Sequence, residues 1–264
     1  MTIYTAGIDI GSLSAKAVIL RDGEMVAWSV QPGGPDSAES ARSIYDAVLS
    51  ESGLAANVIS HIIATGYGRI NVPFADGHVT EISCHAKGAN HVLPSVRCIL
   101  DTGGQDSKAI RCDDKGQVAD FAMNDKCAAG TGRHLDRVAA ALKTPIEKVG
   151  PLSMDIVEKA AKINSTCTVF AQVDVLRQVR KGVHINDILA GACDAIASRI
   201  VELVDRVGIE ADFMMTGGVA KNIGVVNRLE EKLRVKPHVP EEPQITGALG
   251  AALIAFERAT RDNV

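Results

Sequence analysis

Two short runs hold the residues best suited to phosphate chemistry. The first is Gly7-Ile8-Asp9-Ile10-Gly11-Ser12-Leu13-Ser14-Ala15-Lys16, and the second is Asp101-Thr102-Gly103-Gly104-Gln105-Asp106-Ser107-Lys108. Asp, Gly, Lys and Ala recur in register 92 residues apart. Glycines such as Gly11, Gly103 and Gly104 let backbone N–H groups approach an anion with no Cβ in the way. Ser12 and Ser14 add hydroxyl donors. Asp9 and Asp101 carry the same sign as phosphate, so their use is through Mg²⁺, which takes one or two carboxylates together with phosphate oxygens. Lys16 is placed to neutralise charge on a transferred phosphoryl group, and Gln105 or Asp101 to orient an attacking water. A third turn, Gly217-Gly218, follows the apolar Phe213–Met215, with Lys221 and Asn222 just beyond as candidate contacts to adenine or ribose. Any one such turn reads equally well as an ordinary hairpin; two in register plus a third favour a nucleotide. The Walker and dinucleotide-binding glycine patterns are both missing.

Two of the six cysteines differ from the others in setting. Cys127 stands in Asn124-Asp125-Lys126-Cys127-Ala128-Ala129-Gly130-Thr131-Gly132-Arg133, and Cys167 in Asn164-Ser165-Thr166-Cys167-Thr168-Val169-Phe170. Each sits among small polar residues just ahead of an expected helix. Free N–H groups and the helix dipole lower a thiol pKa there. The same donors suit the sulfurs of an anionic iron–sulfur cluster. A [4Fe–4S] cluster takes four thiolates, so this pair supplies half and a symmetric dimer would supply the rest. The other reading of Ala128–Gly132 is a further phosphate loop. Cys84, Cys98, Cys112 and Cys193 fall in apolar strand or helix patterns and are expected to be buried.

The elements that position these residues alternate. Each repeat copy reads as strand, glycine turn, strand, polar turn (Arg21-Asp22-Gly23 or Asp113-Asp114-Lys115-Gly116) and strand (Met25–Val30 or Val118–Met123). Helices are expected at 36–50, 130–142, 169–179, 185–207, 219–233 and 245–259, and a strand at 58–65. The expected fold class is therefore α/β, with two duplicated domains resting against each other across a cleft. Weaker candidates are Arg69, with Gly66 and Gly68, as either part of a partner-facing or interdomain surface or a solvated turn residue, Arg133 and His134 as solvent-facing, Arg177–Lys181 as a helix C-terminal charge pattern, and His78, His85 and His91 as a loose group without metal-ligand spacing.

Composition closes off other classes. Of 264 residues, 46% are hydrophobic and 23% charged, with net charge −4 and 3% aromatics. That balance offers neither a field nor a stacking platform for nucleic acid. No apolar run approaches the ~18–20 residues needed to cross a bilayer, and Asp9 comes too early for a signal peptide. A cytoplasmic protein with no nucleic-acid or membrane partner is expected, its thiols reduced.

With those residues in hand, the chain resembles the actin, sugar-kinase and heat-shock-chaperone ATPase superfamily along its whole length. Gly7–Lys16 looks like the first phosphate loop, Asp101–Asp106 the second, and Met215–Ala220 the adenosine motif. The resemblance implies two ribonuclease-H-like (actin-type) domains, 1–94 plus 247–264 and 95–246, closing on Mg-ATP. Longer runs narrow it: Ala64–Arg69, Glu81–Ala86, Asp101–Asp106, Asn124–Arg133 and Ser165–Phe170 are similar to the activators of 2-hydroxyacyl-CoA dehydratases and the ATPase subunits of benzoyl-CoA reductases. That family implies ATP or ADP as ligand and one [4Fe–4S] cluster per homodimer, held by Cys127 and Cys167 of each copy. It also implies a ferredoxin or flavodoxin as electron donor and an iron–sulfur dehydratase or reductase component as acceptor. A small-molecule kinase of the same superfamily, without a cluster, and a non-enzymatic, nucleotide-dependent interaction protein are the remaining alternatives.

Overall fold

The computed structural model describes residues 2–210 and 212–261. They form two compact units, one drawn from residues 2–99, 110–120 and 240–261, the other from 100–109, 121–210 and 212–239.

The first unit is built on a five-stranded sheet ordered β3-β2-β1-β4-β5. Its strands are β1 (Tyr4–Ile10), β2 (Ser14–Arg21), β3 (Glu24–Pro32), β4 (Ile59–Thr65) and the short β5 (Gly77–His78). β1 pairs antiparallel with β2, setting Asp9 opposite Lys16, and parallel with β4, setting Asp9 opposite Thr65. Alternation along β1 sends Ala6, Ile8 and Ile10 to one face, where they meet Ile44, Tyr45 and Val48 of α1 (Ser37–Ser52). Asp36 caps α1 by accepting from the N–H groups of Ala38 and Glu39 at 2.7 and 3.1 Å. The other face is covered by α8 (Thr246–Arg261), whose Ala248, Leu249, Ala252 and Leu253 pack on Val18 and Leu20. The approach is close: a Cβ on Gly7 would lie 2.0 Å from the Ala248 carbonyl oxygen. α2 (Glu81–Val92) crosses α8 equally tightly, with a Cβ on Gly250 falling 1.8 Å from the Cys84 carbonyl oxygen.

The second sheet is ordered β8-β7-β6-β9. It comprises β6 (Cys98–Thr102), β7 (Ser107–Cys112), β8 (Val118–Asn124) and β9 (Phe213–Thr216). The β-β-β plan read from the repeat is thus found twice. With this sheet go α3 (Gly132–Ala141), α4 (Ile146–Met154), α5 (Thr168–Arg180), α6 (Ile185–Val204) and α7 (Ile223–Leu233). Asp187, in the first turn of α6, accepts from the N–H groups of Val157, Glu158 and Lys159 at 2.7–3.4 Å and fixes the segment after α4.

Several expectations change. The single helix expected over 219–233 is a 3-10 turn, Gly218–Lys221, followed by α7. Asn222 makes the break, because its Oδ1 accepts from the Val225 N–H at 3.1 Å as the N-cap. α6 stops at Val204. α2 and α4 are additional helices: α2 is rich in small residues and carries an internal Gly88, and α4 contains Pro151, so neither displays a regular apolar stripe. Cys84, Cys98, Cys112 and Cys193 are all buried. His134 is 0% exposed rather than solvent-facing, because α3 turns that side of its first turn inward. Arg69 is not a solvated turn residue: its Nη1 donates to the Gly66 carbonyl and pairs with Glu81, each at 3.0 Å.

Candidate functional site

Both aspartates end buried strands, and each is gripped in the same manner. Asp9 is buried, with Lys16 Nζ 3.1 Å from its Oδ2. Asp101 is buried, with Lys108 Nζ at 3.4 Å, and Lys108 also pairs with Asp106 at 2.8 Å. Lys108 is therefore the counterpart of Lys16, a role that the register of the repeat already displayed.

A second symmetry lies deeper. β4 ends in Thr65-Gly66 and β9 in Thr216-Gly217, and both glycines have φ +84°. A Cβ on Gly66 would lie 2.3 Å from Asp9 Oδ1, and one on Gly217 would lie 2.7 Å from Asp101 Oδ1. Only glycine combines that conformation with that approach. Thr216 Oγ1 donates to Asp101 Oδ1 at 3.3 Å. The Thr-Gly pair after an apolar strand was the signal for these residues, and it stands at both places in the sequence. His85 is a further neighbour: a Cβ on Gly247 would lie 2.9 Å from its Nε2 and 3.2 Å from Asp9 Oδ2.

The turns themselves are tight. The Gly11 N–H donates to Ser14 O and the Gly103 N–H to Asp106 O, each at 3.0 Å. Ser12 and Gln105 are exposed at the turn tips, while Gly11, Ser14, Gly103 and Gly104 are half-buried. Gly218 and Lys221 are exposed beside the buried Gly217, and Asn222 is committed to capping α7. Each unit thus offers a carboxylate held by a lysine beside a glycine turn, a donor set that fits a divalent cation and the phosphates it would carry.

The loops of the two singled-out cysteines meet. Cys127 Sγ lies 4.0 Å from Thr166 O, next to Cys167, and both residues are partly exposed. Asparagine stands three residues before each. Asn124 Nδ2 donates to the carbonyls of Cys127 and Ala129 at 2.9 and 3.2 Å. Asn164 Oδ1 accepts from the N–H groups of Thr166 and Cys167 at 2.9 Å each. Cys167 is the N-cap residue of α5. The N–H groups of Phe170 and Val169 face its thiol and hold its pKa below the ordinary value, with a smaller contribution from Arg137. The Ala129 N–H donates to Cys127 Sγ at 3.5 Å. By contrast, burial pushes the Cys84 thiol up to about 12 and the Cys112 thiol up to about 11. Two partly exposed thiols on neighbouring loops, each served by backbone N–H donors, are a donor set that would fit an iron–sulfur group and would supply two of four ligands. Among the described residues no three His, Cys, Asp or Glu side chains converge as a complete metal site.

Twin β-β-β sheets, each ending in an aspartate and a glycine turn, make this an ATPase fold of the actin and sugar-kinase type. Within that class the chain belongs to the BadF/BadG/BcrA/BcrD ATPase family, whose profile matches residues 6–255. It is 49% identical over 260 residues to the activator of lactoyl-CoA dehydratase of Anaerotignum propionicum, covering 98% of this chain and 100% of that protein. It is 33% identical over 264 residues to one of the subunits of the benzoyl-CoA reductase of Thauera aromatica, covering 96% and 93% of the two chains. Among solved structures, the activator of the 2-hydroxyisocaproyl-CoA dehydratase from Clostridium difficile with bound ADPNP superposes with a TM-score of 0.94 at 40% identity, covering 99% of this chain and 97% of that one.

Proposed function

We propose that this chain is an ATP-dependent activator of a 2-hydroxyacyl-CoA dehydratase. It hydrolyses ATP to drive a low-potential electron from a [4Fe–4S] cluster, shared by two copies of the chain, to an iron–sulfur component that acts on the acyl-CoA. The observation that carries the reading is the meeting of the Cys127 and Cys167 loops in the unit that also holds the Asp101 turn. The relatives support it, since three of them, 49%, 41% and 44% identical to this chain along nearly its whole length, are dehydratase activators.

The residue roles follow from charge and reach. Asp9 in the first unit and Asp101 in the second are each a carboxylate that would hold Mg²⁺. The backbone of Gly11, Gly103 and Gly104 and the hydroxyls of Ser12 and Ser14 bind phosphate oxygens. In the structure Lys16 is paired with Asp9, and a cation on that carboxylate would leave the lysine's charge for the phosphoryl group. Gln105, exposed at its turn, orients the attacking water. Gly217, Gly218 and Lys221 receive the nucleoside. Cys127 and Cys167 hold the cluster, which when bound supplies a single electron at low potential. Nucleotide contacts that differ between two arrangements of the protein bias one of them, and hydrolysis of the ATP supplies the free energy. The domains are assigned as 1–94 plus 247–264 and 95–246. A cytoplasmic ferredoxin or flavodoxin refills the cluster.

The test is oxygen-free purification with iron and sulfide measured per dimer, then electron transfer to the acceptor with Mg-ATP against Mg-ADP. Equal rates with both nucleotides, or a colourless iron-free protein, remove the reading. Cys127→Ala and Cys167→Ala are each expected to abolish the visible chromophore, and Cys193→Ala, buried in α6, to keep it. The identity to a component of benzoyl-CoA reductase supports one other reading, an ATPase component of such an enzyme. Co-purification with larger catalytic subunits would select it.

A further inference from the structure

The two cysteine loops are anchored to different parts of the second unit. The Cys127 loop is stitched to the Asp101 turn at three points. Ser107 Oγ donates to Gly130 O at 3.1 Å, the Gly132 N–H to Gly103 O at 2.9 Å, and the Arg133 N–H to Gly104 O at 2.8 Å. There is no slack at the seam, because a Cβ on Gly132 would lie 3.2 Å from Gly103 O and 3.3 Å from Gly104 Cα. Inside the loop, Thr131 Oγ1 donates to Ala128 O at 2.7 Å and Asn124 spans Cys127 O and Ala129 O. Movement of the Gly103-Gly104 backbone therefore passes to Cys127 through a chain of short hydrogen bonds.

Cys167 is held from the far side. Asn164 Oδ1 clasps the N–H groups of Thr166 and Cys167, the Asn164 N–H donates to Asp174 Oδ2 at 3.1 Å, and Arg177 pairs with Asp174 Oδ1 at 2.8 Å. These residues lie in the loop before α5 or on α5 itself. α3 packs beside α5, with Arg137 Nη1 donating to Thr168 Oγ1 at 3.3 Å, and Cys127 Sγ meets the Thr166 carbonyl at 4.0 Å.

We infer that Ser107 and Gly132 are positioning residues that make Cys127 the nucleotide-responsive thiolate, while Asn164 and Asp174 keep Cys167 as the fixed one. The inference rests on the reading of the Asp101 turn as a phosphate loop, and it adds a direction: the nucleotide state reaches the metal site through one ligand of each chain.

The test uses the iron-free, fully reduced full-length protein, with alkylation by N-ethylmaleimide at each cysteine followed by peptide mass spectrometry. Rates are compared without nucleotide, with saturating Mg-ADP and with a saturating non-hydrolysable Mg-ATP analogue; calorimetry confirms saturation. The Cys127 rate is expected to change about five-fold or more between nucleotide states, the low end of ordinary allosteric coupling, and the Cys167 rate by less than about two-fold. Ser107→Ala and Gly132→Ala are expected to flatten the Cys127 response, and Ser107→Thr, which keeps the hydroxyl, to restore it. Asn164→Ala is expected to speed Cys167 alkylation equally in every state. Equal responses at both cysteines, or a Cys127 response that survives both Ser107→Ala and Gly132→Ala, would overturn the inference and leave the ATPase reading standing. Absence of nucleotide binding in the calorimeter would overturn both.

Discussion

His134 sits fully buried in the first turn of α3, and burial, with Arg137 nearby, pushes its imidazole down to about 4. Neither ring nitrogen has a hydrogen-bond partner among the described residues. The folded-state pKa lies below the unfolded value, so the unfolded chain takes up the proton first as pH falls. The stability tied to the neutral ring is complete above about pH 6.5 and is lost between there and about 4. At pH 5 the loss is about 2 kcal/mol, from ~1.4 kcal/mol per unit of pKa difference. Urea melts at pH 7.5 and pH 5 should show that excess loss in the natural protein and not in His134→Phe. A pH dependence unchanged by the substitution would refute the assignment. This residue was illegible in the sequence: a histidine after Gly-Arg at a helix start reads as polar and exposed, and only tertiary packing turns it inward. Asp9, Lys16 and Asp101 were legible because duplication printed them twice. The Thr-Gly pairs were printed twice as well, yet their meaning depends on the strand that lies beside each aspartate, which spacing does not give.

At the scale of elements, the small-residue helix α8 illustrates what composition does convey. Gly-Ala-Leu-Gly-Ala-Ala announces backbone-to-backbone packing, and Gly250 meets the Cys84 carbonyl where α2 crosses. A methyl group there has no room, so α2 must shift. Gly250→Ala is expected to destabilise the protein by about 3 kcal/mol, the upper part of the usual overpacking range, read as a lower urea midpoint. A change within about 0.5 kcal/mol, the ordinary scatter for surface substitutions, would show that the crossing is slack. The partner helix α2 escaped notice because its buried face is made of Cys84, His85, Ala86, Gly88 and Ala89, which carry little hydropathy contrast. Asn222 defeated the boundary after β9 for a different reason. A residue flagged for a possible ligand contact spends its side chain on the α7 cap, and Asn222→Ala should cost about 1 kcal/mol, the usual value for a lost N-cap. A melt indistinguishable from the natural protein's would mean that the cap is dispensable.

For the whole molecule the decisive quantity is stoichiometry. One chain brings two partly exposed thiols onto neighbouring loops, and the proposed four-thiolate group would call for two chains. α5, which starts just after Cys167, carries an apolar face that the other described residues leave exposed: Val169, Phe170, Val173 and Leu176 are 54%, 62%, 47% and 43% exposed. Spaced three or four residues apart along one side of the helix, Val169, Val173 and Leu176 form a stripe that adjoins the thiol a second copy would share. A charge placed on that stripe would be desolvated on association while touching neither the thiols nor the phosphate turns. Val173→Asp is therefore expected to raise the dimer dissociation constant by at least about tenfold, a moderate hot-spot effect, measured by sedimentation under oxygen-free conditions. Iron bound per chain should fall in parallel, and affinity for Mg-ADP should stay as in the natural protein. Iron retained at full level by a monomeric Val173→Asp protein would mean that a single chain completes the metal site, and the two-chain reading would have to be given up.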